Sequence, residues 1–357
     1  MERLNPIDVP AIDEDAAQAA SERQESLAKP PGSLGRLEAL AVKIAGMQAD
    51  SQPSIDPATI VTAVADHGVA DAGVSAYPSA VTGGMLTAFL EGGAAVNAIA
   101  AANGVETIVC DFGVTDGPAA VGPERYDQAV IDCRIRDRPD GRVGTDNLAA
   151  GPAMSREEAI DAIERGRSVV RTYLPDVRCV GLGEMGIANS TAAAAITAVM
   201  TDRPVSEVTG RGTGVDDDAY AHKRSLIADA IEARNPDPAD PIDVLRCVGG
   251  FEIAGLAGVT IEAAARRVPV VVDGFIAGAA ALLAVAIDDR IRSYLLASHA
   301  SVEPGHTVQL ASLGLEPLFD HGMRLGEGTG AALAIGTYRS ACRAHGEMAT
   351  IDDVLNR

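Results

Sequence analysis

The sequence predicts an α/β fold, a doubly wound and mostly parallel six-stranded sheet with a small helical domain made from the chain ends. Three observations carry this. Apolar runs followed by small or acidic turn residues recur along the chain. The runs are continuous rather than alternating, as in strands buried on both faces. Ala-rich segments of helical length separate them, the alternation that produces a parallel sheet.

The elements follow in order. Residues 1–55 read as two polar amphipathic helices around the loop Lys29-Pro30-Pro31-Gly32-Ser33-Leu34-Gly35-Arg36. The first strand is Ile60–Ala65, closing on Asp66-His67-Gly68, and the second is Thr107–Cys110, closing on Asp111-Phe112-Gly113. Asp116–Pro152 is rich in Pro, Gly and charge and reads as a long surface excursion. The third strand is Val177–Val180, leading to Gly181-Leu182-Gly183. The fourth is Val244–Val248, leading to Gly249-Gly250-Phe251-Glu252. The last two are Val268–Val272 with Asp273-Gly274, and Tyr294–Ala297 with Ser298-His299. The α/β domain thus spans residues 56–330. A final helix in 331–357 is expected to pack with the N-terminal pair. Val268–Ile287 has the length of a membrane span, but Asp273 and two glycines divide it into a buried strand, a turn and a helix.

Composition narrows the function. The 357 residues allow one large domain or two ordinary ones, and 47% hydrophobic content excludes wholesale disorder. Acidic side chains outnumber basic ones by 50 to 29, a formal charge of −21, which opposes nucleic-acid binding. With no Trp, 5 Phe and 6 Tyr, the core must be aliphatic and stacking platforms for bases are scarce. The five Cys are scattered without a C-x-x-C and read as reduced core thiols. The N-terminus is acidic without an apolar signal core, so a cytoplasmic location is expected.

Ligands of doubly wound sheets lie beyond the carboxyl ends of the strands. Three loops there could carry chemistry. Gly181-Leu-Gly-Glu-Met-Gly186 formally matches G-x-G-x-x-G, with Asp202 downstream. It reads as a dinucleotide site, as a plain tight turn, or as a polar loop presenting Glu184, whose charge would repel a pyrophosphate. Gly210-Arg211-Gly212-Thr213-Gly214 lets backbone N–H groups converge on an anion, with Arg211 and Lys223 adding positive charge. The alternative is an ordinary glycine loop. Arg324-Leu-Gly-Glu-Gly-Thr-Gly330 places Glu327 between glycines before an apolar helix, either as an accessible carboxylate or as a helix-start residue complementing the dipole. The six His form no metal-ligand pattern, and no G-x-S-x-G elbow is present. No metal and no cofactor is expected.

Five motifs occur together here: KPPGSLGRLE (29–38), ADHGV (65–69), GLGEMGIAN (181–189), GRGTG (210–214) and GMRLGEGTGAALA (322–334). In this combination the chain resembles the nicotinate-nucleotide–dimethylbenzimidazole phosphoribosyltransferase family, from about residue 29 to 350. The resemblance implies a Rossmann-like sheet, a small helical domain and a homodimer. It implies small-molecule substrates: the 5-phosphoribosyl group passes from nicotinate mononucleotide to 5,6-dimethylbenzimidazole, with inversion at C1′. It puts the catalytic base on Glu327, with Glu184 and Lys223 as further active-site groups. It puts ribose and phosphate on Gly183, Gly186, Gly210, Arg211, Gly212, Thr213, Gly214, Ser298 and Ser301. The base pocket falls on Tyr77, Gly84, Met85, Leu86 and Leu325, and the family often carries a larger polar residue where Gly84 stands. Two rivals remain at this point: an NAD(P)-dependent oxidoreductase built on Gly181–Gly186, and a homologue that binds nucleotide or benzimidazole without turnover.

Overall fold

A computed structural model of the chain describes residues 4–117, 130–136, 141 and 143–356. Helices α1 (Glu14–Ser26) and α2 (Arg36–Gln48) come first. Strand β1 (Ala58–Ala65), helices α3 (Val81–Leu90) and α4 (Ala95–Ala102), and strands β2 (Glu106–Gly113) and β3 (Val130–Asp132) follow. Next come α5 (Arg156–Tyr173), β4 (Cys179–Met185), α6 (Asn189–Thr201), α7 (Val205–Val208), α8 (Asp217–Arg234), α9 (Pro241–Val248) and α10 (Phe251–Ala265). The chain ends with β5 (Val270–Val272), α11 (Phe275–Ile287), β6 (Leu295–Ala297), α12 (Pro304–Leu313), α13 (Thr329–Glu347) and α14 (Ile351–Leu355).

Among the described residues six strands form one all-parallel sheet in the order β3-β2-β1-β4-β5-β6. Winding starts outward from β1 in one direction and from β4 in the other. Every residue of β1 is buried, and Val61 lies in register with Ile108 of β2 and Leu182 of β4. Helix α10, backed by α5 and flanked by α11, covers one face, and α13 with α4 covers the other. Glycines set the closest approaches: a Cβ on Gly255 of α10 would fall 2.2 Å from the Phe112 ring, and one on Gly181 would meet Ile60 and Ala331.

Two strand expectations are corrected. Val244–Val248 ends helix α9. Asp240 caps that helix through the Ile242 and Asp243 N–H groups, and Pro241 supplies its first residue. A short apolar run does not by itself separate strand from helix. The sixth strand is instead β3, three residues within the stretch read as a surface excursion, pairing at the sheet edge with β2 alone. Residues 118–129, 137–140 and 142 of that stretch lie outside the described residues. Val268–Ile287 resolves into β5, a turn and the buried helix α11.

The chain ends meet. Helix α2 packs on α1 and on α13. The Arg23 guanidinium donates to the His345 and Gly346 carbonyls, and Leu27 bridges to Thr350. Helix α13 also lies on β1, β4 and β5, so one helix joins the terminal helices to the sheet.

Candidate active site

The winding reverses between β1 and β4, which opens a crevice at their carboxyl ends. Glu184 lies at the end of β4, Asp273 just after β5, and Glu327 on the loop that starts α13. The backbones of Gly326, Glu327 and Gly328 are all left-handed, with φ of +84°, +64° and +93°. Only glycine adopts that region without strain, so Glu327 is held there by its surroundings. Thr62 Oγ1 of β1 donates to the Glu327 carbonyl at 3.3 Å. A Cβ on Gly183 would stand 2.4 Å from that carbonyl, so β4 must carry glycine there. Asp273 Oδ1 accepts the Ala331 N–H at 2.8 Å and fixes the first turn of α13.

The Glu327 side chain points to the start of α4, where Oε2 accepts the Val96 N–H at 3.3 Å. Burial raises its pKa above the usual carboxylate value, while the Val96 and Ala95 N–H groups draw it down. Glu184 is its neighbour: a Cβ on Gly326 would fall 2.1 Å from Glu184 Oε1. Burial pushes Glu184 to about 8; the Asn189 amide opposes this, and the Asp273, Glu252 and Glu327 carboxylates reinforce it. Asp273 is likewise pushed to about 7 by burial, against the Ala331, Gly328 and Gly330 N–H groups. The site therefore holds carboxyl groups poised near neutrality, the condition for proton transfer.

Lys223 of α8 is buried, and its Nζ donates to Ser190 Oγ at 2.8 Å. Burial lowers it to about 8, opposed by the Glu303 carboxylate. The consecutive residues Asn189 and Ser190 open α6, so one helix start holds Glu184 and Lys223 together.

Gly212 and Gly214 of the loop 210–214 are left-handed, at φ +53° and +96°. Thr213 Oγ1 accepts the Ala76 N–H at 2.9 Å, and Arg324 donates to the Gly212 carbonyl at 3.1 Å. These contacts bring Thr213 beside Tyr77 and Leu325, which are 55% and 57% exposed at the rim. Arg211 turns away to pair with Asp217 and covers the Tyr220 ring. The Gly212 N–H is taken by Glu303 Oε1 at 3.0 Å.

The other residues singled out divide in two. Gly84 is open, with nothing within 4 Å of a Cβ placed there, and Met85 is partly buried against the core. Leu86 is fully buried and backs the wall rather than lining it. Gly186 packs against the Ala65 carbonyl and the His67 ring. Ser298 is buried and its hydroxyl donates to the Asp273 carbonyl at 2.6 Å, while Ser301 is half-buried, with its N–H on His306. The dinucleotide alternative is corrected: β4 runs to Met185, so Gly181 and Gly183 are strand residues packed against Ile60 and the Glu327 carbonyl. Helix α6 starts only at Asn189, leaving no glycine turn at its N-terminus for a pyrophosphate.

Asn189, Ser190, Asp273 and Glu303 are the site residues that motif reading did not single out for a role. Asp273 carries a positional signal, closing a strand, and Glu303 stands before Pro304 at a helix start. Cavity size does not locate the site. A cavity of about 640 Å³ lies by Leu90, Asn97, Ala101 and Thr107, at the start of β2 and the opposite end of the sheet. A polar cavity of about 310 Å³, lined by Asp66, His67, Ser79 and Thr115 among others, lies at the carboxyl end of β1.

Residues 9–354 match a family model described as phosphoribosyltransferase. A nicotinate-nucleotide–dimethylbenzimidazole phosphoribosyltransferase of Desulforudis audaxviator is 46% identical over 99% of this chain and 96% of its own. One from a Roseiflexus species is 48% identical over 96% of this chain and 94% of its own. The crystal structure of the Thermus thermophilus enzyme of that name superposes with a TM-score of 0.87 at 38% identity, covering 97% of this chain and 99% of that one.

Proposed function

Because this chain belongs to the nicotinate-nucleotide–dimethylbenzimidazole phosphoribosyltransferase family, we propose that it moves the 5-phosphoribosyl group of nicotinate mononucleotide to 5,6-dimethylbenzimidazole or a related base, with Glu327 as general base. The products are α-ribazole 5′-phosphate and nicotinate. The observation that supports the residue assignment is that Glu184, at the end of β4, lies against Gly326, the residue before Glu327, beside the switch between β1 and β4.

The donor's C1′–N bond joins ribose to a pyridinium nitrogen. Its cleavage returns the electron pair to that nitrogen, so the leaving group needs no acid. Positive charge grows on the ribose as the bond loosens, and a carboxylate beside it stabilises that charge. Burial pushes Glu184 to about 8, so its carboxyl keeps its proton at neutral pH in the free protein; a cation beside it favours the ionised form that serves this role. The acceptor attacks through its unprotonated nitrogen and loses its N–H proton to Glu327. Attack opposite the departing nicotinate inverts C1′. Lys223 and the loop 210–214 are assigned the phosphate, and Tyr77, Gly84, Met85 and Leu325 the base. Holding both partners in line lowers the barrier through positioning alone.

We also propose a homodimer in the cytoplasm and a division into a terminal helical part (1–55 with 331–357) and an α/β part (56–330); the packing of α2 on α13 supports the latter. The test is direct. Purified protein incubated with nicotinate mononucleotide and dimethylbenzimidazole should yield α-ribazole phosphate by mass spectrometry. No product with any azole tried would favour a binding protein without turnover.

A further inference from the structure

Glu303 has no part in the mechanism above, yet it occupies the place reserved for phosphate. It directly precedes α12, is 9% exposed, and accepts the Gly212 N–H on Oε1. Its Oε2 is buried with no hydrogen-bond partner. That oxygen sits against Gly210, where a Cβ would stand 1.9 Å from it. Lys223 approaches the same loop, since a Cβ on Gly212 would lie 3.2 Å from Nζ. Helix α8, which carries Lys223, packs against α6, α7 and α9, and Glu303 before α12 faces the Lys223 ammonium. Among the described residues Glu303 is the charged group from those elements that acts on the ammonium. Ser190 of α6 contributes a neutral hydroxyl, and Arg211 is committed to Asp217.

The cradle is therefore filled by the protein's own carboxylate. One N–H cannot serve two anions at full strength, and two negative groups at hydrogen-bond range repel strongly where water is scarce. Donor phosphate can take the Gly212 N–H only as the carboxylate gives it up. An empty cradle would also leave the buried Lys223 ammonium without a counter-charge, a costly arrangement.

We propose that Glu303 is the resident anion of the phosphate cradle and sets the affinity for phosphate-bearing ligands by exchanging with their phosphate. This rests on the functional reading above. The exchange makes and breaks no covalent bond; one acceptor replaces another on the Gly212 N–H, and one anion replaces another beside the Lys223 ammonium. Substrate and product carry the same phosphate, so the returning carboxylate weakens both and hastens product release.

Calorimetric titration of the full chain tests this with inorganic phosphate, nicotinate mononucleotide and nicotinate, on the wild type and on Glu303→Gln. Glutamine keeps an oxygen acceptor for Gly212 and loses the charge. Phosphate and the mononucleotide should bind about tenfold tighter to the variant, while nicotinate, which has no phosphate, should be unaffected. Unchanged, weaker or absent phosphate binding in the variant overturns the proposal. Should the variant fail to fold, the Gly212 amide resonance of wild-type protein decides: it should move on phosphate saturation, and a stationary resonance overturns the exchange. Turnover is scored separately. A wild type that makes product while Glu303→Gln shows no tightening refutes the exchange alone. A wild type that makes none refutes the reaction and leaves the phosphate result to be judged on its own.

Discussion

Glu327 is held in a left-handed backbone by contacts from three elements: Thr62 on its carbonyl, Asp273 on the following turn, and the start of α4 on its carboxylate. Such a restrained side chain suits a base, because its oxygen does not have to be ordered during the reaction. Glu327→Gln keeps the size and removes the proton acceptor. Its kcat should fall by ~10²–10⁴-fold, with the donor dissociation constant little changed; a near wild-type kcat removes Glu327 from the base role. The pH profile of kcat/KM should be bell-shaped. Glu327 and Glu184 must both be ionised, so activity falls as pH drops through about 8, where Glu184 takes up its proton, and the raised pKa of Glu327 adds to the same acid limb. Lys223 must be protonated, so activity falls as pH rises through about 8. Lys223→Arg, which stays charged, should carry the alkaline limb upward; an unmoved limb assigns it to another group. The motif residues at this site were legible because glycines bracket them in the sequence. Asp273 and Glu303 were not, because their partners lie 58 and 91 residues away. Local spacing holds no trace of contacts that only folding creates.

Elements with strong local signals were legible to within a few residues. Both N-terminal helices, the helix at the C-terminus and four of the strands stand where apolar pattern and turn residues put them, while β4 runs on through the expected turn Gly181-Leu182-Gly183 to Met185. The two exceptions share a cause. Strand β3 has three residues, too few to show a pattern, and α9 has an apolar stretch short enough to pass for a strand. Asp240-Pro241 was the available signal for the helix, and the N-cap decides over hydrophobicity in so short a segment. The close crossing of α5 and α10 was invisible for a different reason, since it depends on facing glycines far apart in sequence. A Cβ on Gly258 would stand 2.0 Å from the Ile163 carbonyl, and one on Gly166 would stand 1.9 Å from the Gly255 carbonyl. Backbone cannot yield as a side chain does. Gly258→Ala should therefore cost about 1–3 kcal/mol of stability by overpacking and lower the Tm measured by calorimetry. The site lies at the strand ends, away from this crossing, so KM at 25 °C should stay within about twofold. A variant with unchanged Tm would mean that the helices separate freely.

At the scale of the whole molecule, charge is the property that the fold does not explain. The formal −21 spreads over a surface whose exposed ion pairs include Arg292–Asp289, Arg343–Glu347 and Arg203–Glu207. Pairs of that kind contribute roughly 0–1 kcal/mol each, whereas unbalanced charge repels itself over the range that salt allows. Screening should relieve more repulsion than it removes attraction. The Debye length falls from about 30 Å in 0.01 M salt to about 3 Å in 1 M. Across that interval the Tm of the free protein should rise by several degrees with sodium chloride. A fall in Tm would show that surface ion pairs outweigh the net repulsion. The cleft should respond in the opposite direction. Once phosphate has displaced the Glu303 carboxylate, it is held by Lys223 and the Gly212 N–H inside a negative protein, and salt weakens that hold. Stability and donor KM should therefore both increase with ionic strength, a divergence that a denaturation series and a kinetic series on one preparation will resolve.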